Sequence, residues 1–318
     1  MNDAALVTLA DLQAAQQVIA GQLHRTPVAG SMQLSKRYGC RLFFKQEMFQ
    51  KTGAFKVRGA LNTLRHLPAV ARKKGVITIS AGNHAQALAW SAAAAGVDST
   101  VVMPATAVEA KVVATRAYGG EVILTEDGLM DTCLQIQAER DLTLVHPFDD
   151  PHIIAGQGTM GLEILEDLPE VDVVITGIGG GGMISGVATA VKALRPSAKV
   201  IGVEPRGSNA MYQSLEAGHP VTLSHNKTIA DGLAAPFAGS HTLAHVQAFV
   251  DEVVLVEEEE IVRAMFDIME WCKVLPEPAA AASFAAVASK KIDFPPDATV
   301  LCILSGGNVD RARLKMLL

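Results

Sequence analysis

The sequence has few of the features that mark several protein classes. Its four cysteines stand far apart, and no Cys-x-x-Cys pair or Cys/His spacing typical of a zinc site occurs. We therefore expect reduced thiols and a cytoplasmic protein, with no disulfide framework. The net charge is −6, so the excess of Lys and Arg that marks most nucleic-acid-binding proteins is missing. We expect no nucleic-acid partner.

Long apolar runs are also missing. The N-terminal stretch MNDAALVTLADLQAAQQVIAG has no basic head followed by a continuous apolar run, so no secretory signal is predicted. The apolar stretches ALAWSAAAAGV (87–97) and PEPAAAASFAAVA (276–288) are shorter than the roughly 20 residues that a membrane-spanning helix needs. We expect both to be buried helices, and we expect no membrane partner.

Hydrophobic residues make up 49% of the 318 residues, which allows one large domain or two smaller ones. Short apolar runs alternate with helical patterns along most of the chain. The strand candidates are 41–46, 75–80, 99–104, 121–125, 143–148, 171–178, 199–205, 251–257 and 298–305. The helix candidates are 8–22, 55–67, 83–95, 107–118, 127–140, 153–167, 182–194, 258–273 and 277–290.

Strands that are apolar throughout and separated by helices indicate an α/β protein, with parallel sheets covered by helices on both faces. Such sheets bind ligands in the crevice beyond the carboxyl ends of their strands. Candidate functional residues are therefore those that directly follow a strand.

The strongest such feature is ITGIGGGGMISG (175–186), where a strand runs into Gly179–Gly182 and then into a helix. This junction can turn several backbone N–H groups toward an anion, and a phosphate is the obvious guest. The alternative is a tight strand-to-helix turn, which needs only one or two glycines. The pattern is no triphosphate-binding P-loop, and its match to a dinucleotide fingerprint is unspecific because most glycine runs satisfy it.

Two further strand ends carry polar turns. In SAGNHAQALAW (80–90), a free helix N-terminus could receive a carboxylate, but a helix capped by Ser80 or Asn83 is an equally good reading. On this evidence His84 is structural. In LSGGN (304–308), the Ser305 hydroxyl would point into the same crevice, and the alternative is again a simple turn.

The segment KTGAFKVRGA (51–60) clusters cations around Gly53 and Phe55. Lys56 opens a helix, where a positive charge is unfavourable. Burial and the nearby Arg58 would lower the pKa of its amine and make it a nucleophile. An ordinary surface lysine is the alternative that composition alone favours.

Together and in this order, these segments resemble the fold-type II pyridoxal-phosphate (PLP) enzymes. More narrowly, they resemble the serine/threonine dehydratase (threonine ammonia-lyase) and serine racemase family. The segments that match the family are RTPV (25–28), GAFKVRGA (53–60), SAGNHAQ (80–86), HPFDD (146–150), AGQGT (155–159), GGGG (179–182), EP (277–278) and LSGGN (304–308). The family usually has serine where Ala54 stands. The resemblance covers nearly the whole chain.

The resemblance implies a two-lobed fold like that of tryptophan synthase β, with the cofactor in the cleft between the lobes. The large domain would comprise residues 1–50 and 148–318, and the small domain residues 51–147. It also implies a homodimer. Because the chain ends at Leu318, soon after the last motif, we expect no allosteric domain and no feedback inhibition by isoleucine.

The resemblance also assigns roles to individual residues. Lys56 would bind PLP as a Schiff base and act as the catalytic base. The other residues expected to bind the cofactor are Phe55 beside its ring, Asn83 at its hydroxyl, the backbone of Gly179, Gly180, Gly181, Gly182 and Met183 at its phosphate, Ser305 at its ring nitrogen, and Glu277 behind these contacts. The residues expected to bind the substrate carboxylate are Ser80, Ala81, Gly82, Asn83 and His84.

The implied reaction is an α,β-elimination that converts a β-hydroxy amino acid, L-threonine or L-serine, to a 2-oxo acid and ammonia. Alternatives with the same cofactor are serine racemisation, 3-hydroxyaspartate dehydration and β-replacement. An alternative of a different class is a non-catalytic nucleotide- or ligand-binding module. Ala81 occupies the position where racemases of the family carry a proton-donating serine, so dehydration is favoured. Glu204 keeps the family's metal-binding glutamate, but Ala210 replaces the neighbouring aspartate, so no metal is expected.

Overall fold

The computed structural model describes residues 5–317 and contains two β-sheets with helices packed around them. The strands are β1 Val28–Gly30, β2 Arg41–Gln46, β3 Val76–Ile79, β4 Ser99–Pro104, β5 Glu121–Thr125, β6 Thr143–Leu144, β7 Val173–Gly177, β8 Lys199–Pro205, β9 Glu252–Val256 and β10 Thr299–Leu304. The helices are α1 Leu9–Ile19, α2 Met32–Tyr38, α3 Val57–His66, α4 Ala69–Lys74, α5 Asn83–Ala95, α6 Glu109–Ala117, α7 Leu129–Arg140, α8 Pro151–Asp167, α9 Gly182–Leu194, α10 Ala210–Ala217, α11 Ser240–Phe249, α12 Glu258–Cys272, α13 Pro278–Ala288 and α14 Arg311–Leu317.

One sheet has the strand order β1-β2-β10-β7-β8-β9, and the other has the order β5-β4-β3-β6. The smaller sheet is parallel throughout, as the apolar strands predict. The larger sheet departs from that prediction at one edge, because β1 pairs with β2 antiparallel. The predicted domain boundaries stay a prediction, although all four strands of the smaller sheet fall between residues 76 and 144.

The structure corrects several predicted elements. The strand expected over 143–148 is only Thr143–Leu144, because the chain turns at the His146–Pro147 step and a Pro cannot donate to a ladder. Strand β1 and helices α2, α4, α10, α11 and α14 were not predicted at all. Helix α2 did carry a readable signal, since Ser31 caps the Leu34 N–H and Gly39 ends the helix in a left-handed conformation.

Helix α13 is buried almost entirely within the larger lobe. Its sequence is mostly alanine, so it packs closely against α12 and against strands β7 to β10. A helix that is apolar all round is a core helix. Because Glu277 immediately precedes it, this packing fixes a carboxylate at the carboxyl ends of the strands.

Helix α12 begins at Glu258, as predicted, within the run of four glutamates at 257–260. Glu257 and Glu260 form a reciprocal capping box, and Glu258 and Glu259 complete an acidic first turn. None of the helices within residues 5–317 is both long enough and apolar enough to cross a membrane.

A cluster of buried charges ties α3 to the larger lobe. The Arg58 guanidinium donates to Glu47 through Nε (2.9 Å) and Nη2 (2.8 Å), and to Glu163 through Nη1 (2.7 Å). Lys45 Nζ completes the cluster by donating to Glu163 Oε2 at 2.6 Å. All four side chains are buried, so their charges are compensated by one another and not by water. The cluster therefore fixes the position of the helix that Lys56 precedes.

Replacing Arg58 with Met should strongly destabilise the protein, because Glu47 would remain buried without a cationic partner. Removing one member of a buried ion pair costs about 3–5 kcal/mol of unfolding free energy. Urea unfolding followed by circular dichroism measures this loss.

Arg25→Met is the matched control, because Arg25 also lies between two carboxylates, Glu166 and Asp167, but its side chain is 49% exposed. Surface pairs contribute only about 0–1 kcal/mol. Equal, small losses in the two variants would contradict the importance of the buried cluster.

Candidate functional site

The main cavity, of about 490 Å³, lies where the carboxyl ends of strands from both sheets meet. The ends of β3, β4 and β7 line it, as do the first residues of α5 and α9. Every residue that the sequence analysis assigned to the site borders this one cavity: Phe55, Lys56, Ser80, Ala81, Gly82, Asn83, His84, Gly179, Gly180, Gly181, Gly182, Met183, Glu277 and Ser305. Their individual roles stay predictions.

Lys56 lies at the N-cap of α3, as expected, and its amine reaches into the cavity wall. Nζ donates to the backbone oxygen of Pro147 at 2.8 Å and lies 5.3 Å from the centroid of the Phe55 ring. Among residues 5–317, no carboxylate forms an ion pair with it. Desolvation lowers the pKa of the Lys56 amine to about 8. The predicted repulsion by Arg58 does not contribute, because that guanidinium is buried against Glu47 and Glu163.

The carbonyl partner of Lys56 is held by its own turn. His146 Nδ1 accepts the N–H groups of Phe148 (3.3 Å) and Asp149 (2.8 Å), which bends the chain around Pro147. The Asp149 carboxylate then accepts the N–H of Thr242 at 3.1 Å, at the start of α11. In the sequence, HPFDD is recognisable only as a family match, because Asp149 and Thr242 are too far apart in the chain to leave a local signal.

The glycine loop has the features of an anion cradle. In the described chain, the N–H groups of residues 179–184 have no protein acceptor, and the first hydrogen bond of α9 is made by Ser185 N. These N–H groups lie at the positive end of a 13-residue helix and border the cavity.

Close packing behind the loop explains the number of glycines. A Cβ on Gly180 would come within 2.3 Å of the Phe148 ring, and one on Gly182 within 2.9 Å of the Phe148 backbone oxygen. Gly181 has φ = 96°, a left-handed value that favours glycine. A tight turn alone would not need all of these glycines, so the anion-site reading is the better one.

Helix α5 presents a second free N-terminus to the same cavity. The reading in which Ser80 or Asn83 caps this helix is wrong, because Gly82 is the N-cap residue and no side chain caps the helix. The Ser80 hydroxyl accepts the N–H of Gly82 instead, at 3.2 Å. The uncapped end can therefore accept an anion, and two helix N-termini face one cavity.

The half-buried Asn83 and the buried Glu277 form a hydrogen-bonded pair at the cavity. Asn83 Nδ2 donates to Glu277 Oε1 at 2.7 Å. Burial raises the pKa of Glu277 to about 7, although the Asn83 hydrogen bond opposes the shift. Ser305 is buried nearby, and its backbone oxygen accepts the N–H of Phe55 at 3.0 Å.

His84 is buried against Val145, as a structural histidine would be. Its Nε2 lies 3.4 Å from the Val145 oxygen. Desolvation, with a further contribution from Lys56, lowers the pKa of His84 to about 3, so the ring is neutral at physiological pH. A neutral ring adds no positive charge to the cavity that His84 borders.

Three charged residues at the cavity mouth were missed by the sequence analysis. Lys111 on α6 and Arg313 on α14 both pair with Asp231, at 3.3 and 3.4 Å. The contact joins elements that are far apart in the sequence, so no motif marks it. Both cations are therefore already paired with a carboxylate.

Glu204 does not lie in this cavity. Its carboxylate accepts the N–H groups of Met211 (3.0 Å) and Tyr212 (2.8 Å) at the start of α10, and burial raises its pKa to about 8. No group of three or more His, Cys, Asp or Glu side chains suited to a metal ion occurs within residues 5–317. The metal-free reading stays a prediction.

Comparison with known proteins decides the family. The family described as pyridoxal-phosphate dependent enzyme matches residues 19–306. The chain belongs to this family. The resemblance identified from the motifs is thereby confirmed, together with the two-lobed α/β fold class and pyridoxal phosphate as the cofactor.

Three similar proteins come from different organisms. An L-threonine ammonia-lyase of Thermotoga maritima is 44% identical over 308 residues, covering 96% of this chain and 76% of the relative. The structure of maize serine racemase superposes with a TM-score of 0.94 at 40% identity, covering 98% of this chain and 97% of that one. The processed form of threonine deaminase isoform 2 from Solanum lycopersicum has a TM-score of 0.90 at 36% identity, covering 97% and 91%.

The residues of the cavity fit a pyridoxal-phosphate cofactor. The unpaired N–H groups of the glycine loop suit its phosphate, and the Lys56 amine, with its lowered pKa, suits its aldehyde. No carboxylate pairs with the amine in the described chain, so none competes with an aldehyde for it.

Competitive acetylation of the cofactor-free protein should reveal the desolvated amine. Only the neutral amine reacts, so labelling of Lys56 should reach half its maximum near pH 8. An ordinary exposed lysine reaches it near pH ~10.4. Peptide mass spectrometry across a pH series gives the profile of each lysine.

The same protein unfolded in urea is the control, and there the profile of Lys56 should return to the ordinary one. Half-labelling of Lys56 in the folded protein at the pH of an exposed lysine would contradict the desolvated site.

Proposed function

We propose that this protein catalyses α,β-elimination of L-threonine or L-serine, giving a 2-oxo acid and ammonia. The observation that carries the proposal is that the Lys56 amine and two uncapped helix N-termini border one cavity. A cofactor phosphate and a substrate carboxylate are the two anions that such a cavity would hold. The relative from Thermotoga maritima, an L-threonine ammonia-lyase, supports the same reaction.

Bound pyridoxal phosphate would supply an electron sink for the electrons left at the substrate Cα. In our proposal, Lys56 binds its aldehyde and Phe55 packs beside its ring. The backbone N–H groups from Gly179 to Met183 hold its phosphate. Asn83 contacts its hydroxyl, Ser305 its ring nitrogen, and Glu277 supports Asn83.

The substrate carboxylate binds at the N-terminus of α5, within residues 80–84. This contact orients Cα toward the cleft wall that carries Lys56. Nζ of Lys56 would take the Cα proton, and its lowered pKa keeps much of the amine neutral near pH 8. L-threonine would lose its β-hydroxyl and yield 2-oxobutanoate and ammonia, and L-serine would yield pyruvate.

A neutral or small β-substituent suits the cavity better than a second carboxylate. Lys111 and Arg313 are the cations at the mouth, and both already pair with Asp231. The second carboxylate of a 3-hydroxyaspartate would have to compete with Asp231 for one of these cations. We therefore favour threonine and serine.

An ammonia-release assay of the PLP-loaded enzyme tests the reaction. L-threonine and L-serine should release ammonia faster than D-serine or the hydroxyaspartates, without an added nucleophile. Lys56→Ala should lower the rate by at least about 10²–10⁴-fold, the usual contribution of a positioned acid–base group.

Lys51→Ala is the matched control, because Lys51 lies in the adjacent turn and does not border the cavity. It should keep the rate of the wild-type enzyme. No ammonia from any β-hydroxy amino acid would refute the proposal. A thiol-dependent S-substituted cysteine formed from serine without ammonia would then favour a β-replacement enzyme, and no product at all would favour a binding module.

Serine racemisation is the second candidate, favoured by the close superposition with maize serine racemase. Racemisation needs a proton donor on the face of Cα opposite Lys56. Ala81 borders the cavity and has no donor to offer. Elimination should therefore predominate in this chain.

Ala81→Ser should raise D-serine formation from L-serine relative to ammonia release, because it adds a hydroxyl on that face. Ala107→Ser is the control, since Ala107 borders the same cavity and, like Ala81, packs against the buried cluster that contains Ala85. Chiral chromatography measures the two products. Racemisation in the unaltered enzyme at the rate of ammonia release would contradict the elimination proposal.

We also propose a cytoplasmic homodimer in which residues 51–147 form the small domain. Free cysteines support the cytoplasmic assignment. Exposed apolar side chains on the larger lobe, among them Met32, Phe49 and Trp271, support association with a second copy. Sedimentation of the holoenzyme should give twice the chain mass of 33.5 kDa.

A further inference from the structure

Asn308 joins three segments that border the cavity. Its Nδ2 donates to the backbone oxygen of Thr52 at 2.7 Å and to Oδ1 of Asn83 at 2.9 Å. Thr52 lies in the turn before Lys56, Asn83 begins α5, and Asn308 itself follows β10. The Asn308 amide therefore bridges the turn before Lys56 and the N-terminus of α5, which follows β3 of the smaller sheet.

The partners fix which way both amides point. A backbone oxygen can only accept, so the Asn308 atom facing Thr52 must be the nitrogen. That same nitrogen faces Asn83, so the Asn83 atom must be the oxygen. Asn83 Nδ2 is then left to donate to Glu277 Oε1, at 2.7 Å. The donor and acceptor atoms of the two amides are therefore assigned by their hydrogen-bond partners, and not by an arbitrary choice between nitrogen and oxygen.

This arrangement limits what Asn83 can offer a ligand. An asparagine amide has two N–H donors and two acceptor lone pairs. One donor is used by Glu277, and one lone pair by Asn308. The hydrogen bonds to Glu277 and Asn308 fix the position of Asn83 Nδ2, which keeps a second N–H. Asn83 can therefore donate to a ligand oxygen in the cavity that it borders.

Asn308 also supports the strained turn before Lys56. Thr52 has φ = 61° and Gly53 has φ = 72°, both left-handed values. A Cβ on Gly53 would come within 2.5 Å of the Asn308 Oδ1 atom. The neighbouring backbones are joined as well, since Gly307 N donates to Gly53 O at 2.9 Å. The turn thus depends on the segment that carries Asn308.

We propose that Asn308 is a positioning residue that sets Asn83 to donate an N–H to the cofactor oxygen and holds the turn before Lys56. This inference rests on the proposed role of Asn83 in binding the cofactor. It assigns no contact between Asn308 and the substrate. Its consequence is that cofactor affinity depends on a side chain that acts through Asn83.

Asn308→Asp tests this directly, because a carboxylate of the same shape cannot donate to Thr52 O or Asn83 Oδ1. The Asn83 amide should then turn its nitrogen toward the new carboxylate and lose the donor it offers to the cofactor. We expect cofactor affinity to fall by about ten-fold, the effect of losing one hydrogen bond. Absorbance titration of the apoprotein with pyridoxal phosphate measures the affinity, and the visible spectrum of the bound cofactor should shift.

The decisive comparison is made in an Asn83→Ala background. If Asn308 acts through Asn83, Asn308→Asp should weaken cofactor binding much less there than in the wild type, because coupled residues are not additive. Equal losses in both backgrounds, or cofactor binding by Asn308→Asp like that of the wild type, would overturn the proposal. Asn308→Ala, which introduces no new charge, gives the same comparison if Asn308→Asp does not fold.

Asn62→Ala is the matched control, because Asn62 Nδ2 also donates to a backbone oxygen, that of His152, at 2.7 Å. It should lower thermal stability without changing the spectrum or the affinity. Cofactor binding is measured without substrate, so it is independent of the proposed reaction. If the variants show the expected pattern of cofactor binding but the wild-type enzyme releases no ammonia, only the proposed reaction is contradicted, and the role of Asn308 stands.

Discussion

The site depends on one amine that the fold removes from water and that pairs with no carboxylate within residues 5–317. Lys56 donates to a backbone oxygen, borders the same cavity as two helix N-termini, and has a pKa lowered to about 8 by desolvation. A cation is disfavoured in these surroundings, and a neutral amine or a covalent bond to an aldehyde is favoured. The anions that the helix ends would accept, a phosphate and a carboxylate, are those of pyridoxal phosphate and an amino acid.

Keeping that amine in place requires long-range connections. The buried cluster around Arg58 fixes α3 against the larger lobe, and the turn around Pro147 provides the oxygen that Lys56 contacts. The segment after β10 then holds the turn before Lys56 through Asn308. The Arg58 cluster, the turn around Pro147 and the segment after β10 thus decide together where the Lys56 nitrogen lies. This gives a reason for the buried charge cluster around Arg58, two residues after the lysine that we propose as catalytic.

The sequence predicts well what is local in the chain. The glycine loop, the lysine at a helix start and the α/β alternation are short-range patterns, and β2, β4, β5 and β8 have the predicted bounds. Partners distant in sequence were not predictable. Glu163 lies 105 residues from Arg58, and Asn308 lies 225 residues from Asn83, so no spacing reveals either contact. Arg58 was accordingly misread as a neighbour that repels Lys56.

The central claim is that residue 56 carries the cofactor, and borohydride reduction of the loaded enzyme tests it most directly. Reduction makes an imine permanent, so peptide mapping should find the cofactor mass on the peptide that contains Lys56. Label on Lys51 or another lysine, or no label in a protein that retains bound cofactor, would contradict the account.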